Sequence, residues 1–266
     1  MTRKIFIRLG LGLVAVCVVA FFLGLSSWNK VNEPVSSNAD SVVFTVASGS
    51  SMRSVAKRLE EEKLIRSAKA LRLLSRVRGL DGKIRAGEYD LSAASDTSAI
   101  LTLLTSGTMK TYEISIPEGL TAREISVRLE AAELCDSEAF LAYALDPESA
   151  KQLGIEGPSL EGYLFPETYR LPRGLPPERI ARIFVDEFNK NWEQVVKGKS
   201  STTLNKQELV TLASIVEKET GAAEERPTIA AVFVNRMKLG MRLETDPTVI
   251  YGISDFDGNL TRAHLR

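Results

Sequence analysis

The sequence is poor in the residues from which metal centres, disulfide frameworks and nucleic-acid surfaces are built. It contains one histidine, His264, and two cysteines, Cys17 and Cys135, among 266 residues. The cysteines lie in very different sequence contexts and show no metal-ligand spacing, so neither a disulfide framework nor a metal site is predicted. Lys and Arg together number 34, as do Asp and Glu, and this balance argues against a nucleic-acid partner. A Ser-His-Asp triad would need a histidine close to the C-terminus, and we do not expect one.

The N-terminus carries an apolar run of membrane-spanning length. Residues 9–25 are apolar apart from small residues, and Arg3, Lys4 and Arg8 precede them. A bilayer is crossed by about 20 apolar residues, and the positive-inside rule places the basic end in the cytoplasm. A cleaved signal peptide is the alternative, but the run is long for one and no Ala-x-Ala site follows. We therefore expect an uncleaved signal anchor.

This interpretation divides the first part of the chain into three segments. Residues 1–8 are expected in the cytoplasm and residues 9–27 in the membrane. Residues 28–41 are polar and contain Pro34, which is typical of a linker. The rest of the chain is expected on the opposite side of the membrane from the N-terminus.

A strand-turn-helix pattern occurs twice, with an offset of 70 residues. The predicted strands are residues 42–46 and 112–116, and the turns contain Gly49 and Gly119. Eight positions in the turn and helix regions are identical at this offset. Because these identities are in register with the same predicted elements, they indicate a duplicated unit.

Residues 42–109 resemble the lysin motif (LysM), a small glycan-binding module with a strand, two helices and a returning strand. The resemblance rests on the first strand, the turn glycine and the helix that follows. A generic α+β unit that serves only packing would show the same signals. Both interpretations remain open on these residues alone.

Residues 160–169 are rich in aromatic side chains, and Glu161 lies two residues before Tyr163. An aromatic ring can stack on the apolar face of a sugar, and a carboxylate can accept hydrogen bonds from its hydroxyl groups. Both residues are therefore candidates for carbohydrate contact. A strand with ordinary core aromatics is the alternative.

Residues 209–220 predict a helix that carries an acidic pair at its end. Asn205 is expected to open it through a capping box, and Gly221 is placed to stop it. At 100° per residue, Glu217 and Glu219 fall on the two borders of an apolar arc. The arc contains Leu209, Leu212, Ala213, Val216 and Thr220. A carboxyl group held against apolar neighbours keeps its proton to higher pH, as a general acid requires. The same pattern fits a solvated helix edge, and this helix alone does not decide.

Two further helices and a turn complete the pattern. Residues 178–196 predict an amphipathic helix whose apolar face belongs to the core. Pro227 suits the first turn of another helix, which Gly240 is expected to end. Asp246 and Pro247 predict a rigid turn before a strand or a helix.

Taken in order, these segments resemble the membrane-bound endolytic murein (lytic) transglycosylases. The matching pieces are the N-terminal anchor, the LysM-like unit, and residues 160–169, 213–220, 232–236 and 246–251. The resemblance covers essentially the whole chain, and its specificity lies in the combination. It implies an α+β protein of the cell inner membrane with its bulk in the periplasm. A LysM-like α+β subdomain at residues 42–109 would precede a mixed α+β catalytic domain at residues 110–266.

The resemblance implies a lyase that cleaves the β-1,4 bond between N-acetylmuramic acid and N-acetylglucosamine in nascent peptidoglycan strands. The product has a 1,6-anhydromuramyl end, so the enzyme would limit strand length. The catalytic glutamate of the family corresponds to Glu217. One carboxyl group can suffice because the C6 hydroxyl of the sugar is the nucleophile, and no metal or cofactor is needed. The implied partners are peptidoglycan strands, the inner membrane and peptidoglycan synthases (penicillin-binding proteins).

Several further residues are candidates for holding Glu217 or the substrate. They are Glu219, Asn235, Arg236 and Asp246, together with Glu161 and Tyr163. Each of the first four fits equally well as a helix cap, a turn residue or a member of an ion pair.

The sequence departs from the family pattern in two places. Glu244 stands where glutamine is expected. Family members continue beyond the position of Arg266, so we expect the catalytic domain to be incomplete at its C-terminus. An alternative function is therefore retained, that of a membrane-anchored, non-catalytic protein that binds peptidoglycan or serves as a scaffold.

Overall fold

The structure, a computed structural model, describes residue 26 and residues 28–197, 203–253, 256 and 258–264. It divides into two compact units, Met1–Thr111 and Tyr112–Arg266. Each combines helices with one two-stranded antiparallel sheet, so the predicted α+β class is confirmed.

The predicted membrane anchor cannot be compared with the structure. Its apolar run, residues 9–25, lies outside the described residues, as does Cys17. Within the described part of the chain, no helix is long and apolar enough to cross a membrane.

The first unit is built on a strand pair that begins and ends a strand-helix-helix-strand arrangement. Its elements are β1 (Ser41–Val46), α1 (Met52–Glu61), α2 (Ala68–Val77), β2 (Gly87–Ser92) and α3 (Thr97–Ser106). In the antiparallel pair Phe44 lies opposite Tyr89, and both side chains are buried. Alternate side chains of a strand point to one face, so Phe44 and Val46 enter the core together.

The segment before β1 contacts the first unit. Trp28 packs against the core of that unit. The guanidinium of Arg66 donates hydrogen bonds to the backbone carbonyls of Glu33 and Pro34. The Ser92 hydroxyl donates to the Ala39 carbonyl at 2.7 Å. These bonds fasten the segment that was predicted as a linker onto the folded unit.

The second unit opens with a similar arrangement, in which a third helix precedes the returning strand, and continues with more helices. Its elements are β3 (Tyr112–Ser115), α4 (Ala122–Ala131), α5 (Ser137–Leu145), α6 (Pro147–Gln152), β4 (Thr168–Leu171), α7 (Pro177–Val196), α8 (Lys206–Glu219), α9 (Arg226–Lys238) and α10 (Asp246–Tyr251). β3 and β4 pair antiparallel, with Ile114 opposite Tyr169. Tyr169 stacks on Phe184 of α7 with ring centroids 4.2 Å apart. The apolar face of α7 therefore belongs to the core, as predicted.

The two units repeat each other in backbone detail. Gly49 and Gly119 both adopt positive φ, 75° and 76°. Lys63 and Glu133, which also correspond at the same offset, have φ of 57° and 55°. The duplicated unit predicted from the sequence is thus present in the structure, and positions that correspond at the 70-residue offset share a conformation, whether the residues are identical or not.

The end of the chain forms a small helical layer around Leu212, Val216 and Phe233, which make up a third hydrophobic cluster. Asn205 caps α8 through the predicted capping box. α8 ends at Glu219 and Thr220 is its C-cap, so Gly221 directly follows the helix end as predicted. The stop is formed by the extended Thr220, with φ −142° and ψ 140°, and not by a left-handed glycine. The predicted apolar arc holds only in part, since Leu212 and Val216 are buried but Ala213 is exposed.

The helix after α8 follows its prediction. Pro227 occupies the first turn of α9, and Gly240 follows its end with φ 66°. After the turn at Asp246 and Pro247 the chain forms the short helix α10 rather than a strand.

Candidate active site

Glu217 lies in the last turn of α8, on the side that faces the turn between β3 and α4. Its side chain is 30% exposed, so it is reachable from solvent and still partly enclosed. The sequence predicted apolar neighbours for this carboxyl group. The structure instead gives it a guanidinium partner.

That partner is Arg226, the first residue of α9. Its Nη2 atom lies 3.2 Å from Oε1 and 3.1 Å from Oε2 of Glu217. The same Nη2 is 3.9 Å from a carboxylate oxygen of Glu118. The three side chains form a carboxylate–guanidinium–carboxylate cluster, in which the arginine is 35% exposed.

Gly119 forms the wall beside Glu217. A Cβ atom built on Gly119 would lie 3.8 Å from both Cγ and Oε1 of Glu217. Gly49, the equivalent glycine of the first unit, has nothing within 4 Å of such an atom. The duplicated turn is therefore open in one unit and placed against a carboxyl group in the other.

Glu161 supports the same turn from its other side. Both carboxylate oxygens accept hydrogen bonds from the backbone N–H of Ala122 at 3.1 Å, at the N-terminus of α4. Burial raises the pKa of Glu161, and the nearby charge of Glu124 raises it further. The Ala122 N–H and the charge of Lys218 act in the opposite direction. Glu161 thus fixes the start of the helix that follows Gly119.

Glu219 and Arg236 lie together in a groove of about 330 Å³ between α8, α9 and the loop before α10. Thr245, which is buried, donates a hydrogen bond from its hydroxyl to Glu219. Arg236 donates to the backbone carbonyls of Arg242 and Leu243, at 3.2 and 2.6 Å. These contacts hold the loop to the helices.

Glu244, the residue that departs from the family pattern, lies at the mouth of the same groove. Its carboxylate is 3.6 Å from Nη1 of Arg236. Its φ is 52°, a conformation uncommon for residues other than glycine, asparagine and aspartate.

The remaining candidates are not brought to Glu217. Tyr163 is 5% exposed and packs edge-on against Phe188 in the core, with ring centroids 5.0 Å apart. Its ring is therefore not free to stack on a sugar. Asn235 on α9 and Asp246 at the start of α10 are exposed.

The cluster offers one partly enclosed carboxyl group, Glu217, with a close cationic partner. Such a group can donate and accept a proton at an atom placed against it. Among the described residues, no group of three or more His, Cys, Asp or Glu side chains is arranged to hold a metal ion. Proton transfer at Glu217 is the chemistry that this arrangement suits best.

Sequence reasoning missed Arg226, Glu118 and Gly119. Arg226 follows two acidic residues and precedes a proline, and this pattern is typical of an ordinary charged helix start. Gly119 was recognised as a turn residue of the repeat, and only the folded chain brings that turn to α8. The sequence repeat was the available signal for Gly119, because it identifies the turn that both units share.

Comparisons with known proteins identify the family of the chain. A sequence model of the YceG-like family matches residues 44–266. The chain is 32% identical over 238 residues to the endolytic murein transglycosylase of Bacillus subtilis, covering 82% of this chain and 65% of that protein. It is 27% identical over 257 residues to the endolytic murein transglycosylase of Streptococcus pneumoniae strain D39, covering 86% of this chain and 46% of that protein. The chain thus spans between about half and two thirds of the length of these relatives.

A crystal structure of a yceG-like protein from Listeria monocytogenes is also similar to this chain. The two are 28% identical, with a TM-score of 0.49. The similarity covers 85% of this chain and 80% of the other.

Proposed function

Since the chain belongs to the YceG-like family, we propose that it is an endolytic murein transglycosylase. The substrate would be the glycan strand of peptidoglycan. The bond cleaved would be the β-1,4 linkage between N-acetylmuramic acid and N-acetylglucosamine. The observation that carries the proposal is Glu217, a reachable carboxyl group that is held by Arg226 and lies beside the turn residue Gly119.

In the proposed reaction Glu217 acts first as acid and then as base. Its proton passes to the glycosidic oxygen as the C1–O bond breaks, so that N-acetylglucosamine leaves with a hydroxyl group. The C6 hydroxyl oxygen of the muramic acid forms the new bond to C1, and its proton passes to the Glu217 carboxylate. No water is consumed, and the same residue is ready for a second turnover. Glycosidases that hydrolyse the bond need a second carboxyl group to attack or to activate water.

Gly119 suits this role because a hydrogen atom in place of a side chain leaves room for a sugar beside the carboxyl group. The left-handed backbone that Gly119 adopts is one that glycine tolerates without strain. Glu161 supports the turn by bonding the first N–H group of α4. Glu219 and Arg236 would contribute indirectly, through the groove that they share with Thr245.

We also propose that the first unit is LysM-like and binds the same glycan strand, and that residues 9–27 anchor the protein in the inner membrane. The strand-helix-helix-strand arrangement of residues 41–92 supports the first point. The apolar run after Arg3, Lys4 and Arg8 supports the second. The periplasm would then hold both units, where peptidoglycan synthases supply nascent strands and are natural partners.

The full chain, purified in detergent and incubated with uncrosslinked glycan strands, tests the activity. We expect mass spectrometry to find 1,6-anhydromuramyl ends, and Glu217→Gln to reduce their rate of formation by about 100-fold or more. The matched control is Glu113→Gln, which removes an exposed carboxylate elsewhere in the second unit. Products with reducing ends only, or full activity of Glu217→Gln, would show that the proposed reaction is wrong.

The alternative is a non-catalytic peptidoglycan-binding or scaffold protein, and the compact first unit is the feature that favours it. It predicts that the wild type sediments with peptidoglycan and releases no soluble product. Under either function, Glu217→Gln should bind peptidoglycan as well as the wild type does. Product formation therefore decides between the two functions.

A further inference from the structure

Arg226 occupies a position that its own helix does not favour. It is the first residue of α9, where the aligned peptide dipoles place partial positive charge. A guanidinium at this end is disfavoured by its helix, whereas a carboxylate would be favoured. The compensation must therefore come from outside α9.

The compensation comes from two carboxylates on other elements. Glu217 belongs to α8, and Glu118 belongs to the turn between β3 and α4. The Nε atom of Arg226 is buried and has no hydrogen-bond partner among the described residues. A buried donor without a partner costs free energy. Nη2 of Arg226 therefore contacts Glu217 although the Nε donor has no partner and the helix end is unfavourable for a positive charge.

The geometry fixes one carboxyl group more closely than the other. Nη2 lies within 3.2 Å of both Glu217 oxygens but 3.9 Å from Glu118, whose side chain is 70% exposed. A donor placed between two carboxylate oxygens restrains the rotation of that carboxyl group. Arg226 can therefore hold the Glu217 carboxyl group in one orientation.

We propose that Arg226 is a positioning residue, which holds the Glu217 carboxyl group in the orientation that proton transfer requires. This inference rests on the proposed function, because the transfer concerned is the one to the glycosidic oxygen. The charged groups that face Glu217 are Arg226 from α9 and, behind it, Glu118 from the β3–α4 turn. On α8 itself, the neighbouring Lys218 is exposed and Glu219 is bonded to Thr245.

The proposal predicts a loss of kcat with little change in KM. Arg226→Met removes the donor that restrains the carboxyl group, so kcat should fall by about 10-fold or more while KM changes little. Arg226→Lys keeps a charged donor but not the planar guanidinium, so its kcat should be intermediate.

The control is Arg170→Met, which removes an arginine from the exposed ion pair with Glu113 in the same unit. Its kcat and its KM should match those of the wild type. Thermal unfolding of each variant separates these effects from loss of folding, and Arg226→Lys serves as the test variant if Arg226→Met is unfolded.

The possible failures are distinguishable. If the wild type forms no anhydro ends, the proposed function is wrong and the positioning role falls with it. If the wild type is active but Arg226→Met keeps the wild-type kcat, or Arg226→Lys does so where Arg226→Met is unfolded, the positioning role is wrong and the proposed function stands.

Discussion

Gly119 places its Cα hydrogen against the Glu217 side chain, so a methyl group at this position would lie 3.8 Å from both Cγ and Oε1. The contact joins the turn of the duplicated unit to the last turn of α8. Gly49 has the same conformation in the first unit and faces open space. A comparison of Gly49 with Gly119 therefore distinguishes two effects of a glycine, its backbone conformation and its lack of a side chain.

Substitution of these two glycines by alanine is expected to have equal effects on stability and unequal effects on activity. A left-handed conformation costs a residue with a Cβ about 1–2 kcal/mol, so both variants should lose about that free energy of unfolding. Only Gly119→Ala should reduce kcat/KM, because only there does the methyl group occupy the space beside Glu217. Denaturant unfolding and product formation measure the two quantities. Equal activity of the two variants would show that the space beside Gly119 is not used.

Glu161 is expected to make stability depend on pH. Burial raises its pKa, so the folded protein binds a proton at Glu161 more readily than the unfolded chain, whose value is near 4.5. This contribution to stability is fully present below the unfolded pKa and is lost as pH rises through the folded pKa. Glutamine at this position remains neutral and can still accept the bond from Ala122.

The free energy of unfolding of Glu161→Gln, relative to the wild type, should therefore increase from about pH 4 to about pH 8. Urea unfolding at both pH values measures it. Glu138→Gln, at an exposed position in the first turn of α5, is the control for general effects of charge removal. A pH-independent difference for Glu161→Gln would mean that the carboxyl group is not influenced by its burial.

Thr245 is expected to hold the loop before α10 through its bond to Glu219. Thr245→Val keeps the shape of the side chain but leaves a buried position without the hydroxyl donor. We expect the free energy of unfolding to fall by about 1–2 kcal/mol. Thr245→Ser, which keeps the hydroxyl, should lose less. If the serine variant is as unstable as the valine variant, the methyl group rather than the hydrogen bond stabilises the loop.

The parts of the fold that the sequence predicted correctly depend on local signals. Asn205 and Glu208 form a capping box three residues apart, and the α7 face repeats with helical spacing. The duplication was visible because turn and helix positions are shared at one offset. Such features need only neighbouring residues, or a comparison of the chain with itself.

The parts that the sequence did not predict depend on packing between distant segments. Glu217 meets Arg226 because the extended Thr220 ends α8 and the chain turns back into α9. Tyr163 has the same local signature as a sugar-stacking aromatic, and only the position of Phe188 shows that it belongs to the core. Ala213 is exposed although it lies on the predicted arc, because only part of that face is covered by α9.

The duplicated turn has a consequence for how the chain tolerates change. Asparagine and aspartate enter left-handed conformations more easily than other residues with a side chain. Gly49 could therefore be replaced by either at little cost, whereas at Gly119 a polar side chain would reach the Glu217 carboxyl group. The two turns are therefore under different constraints. More substitutions should be tolerated at Gly49 than at Gly119.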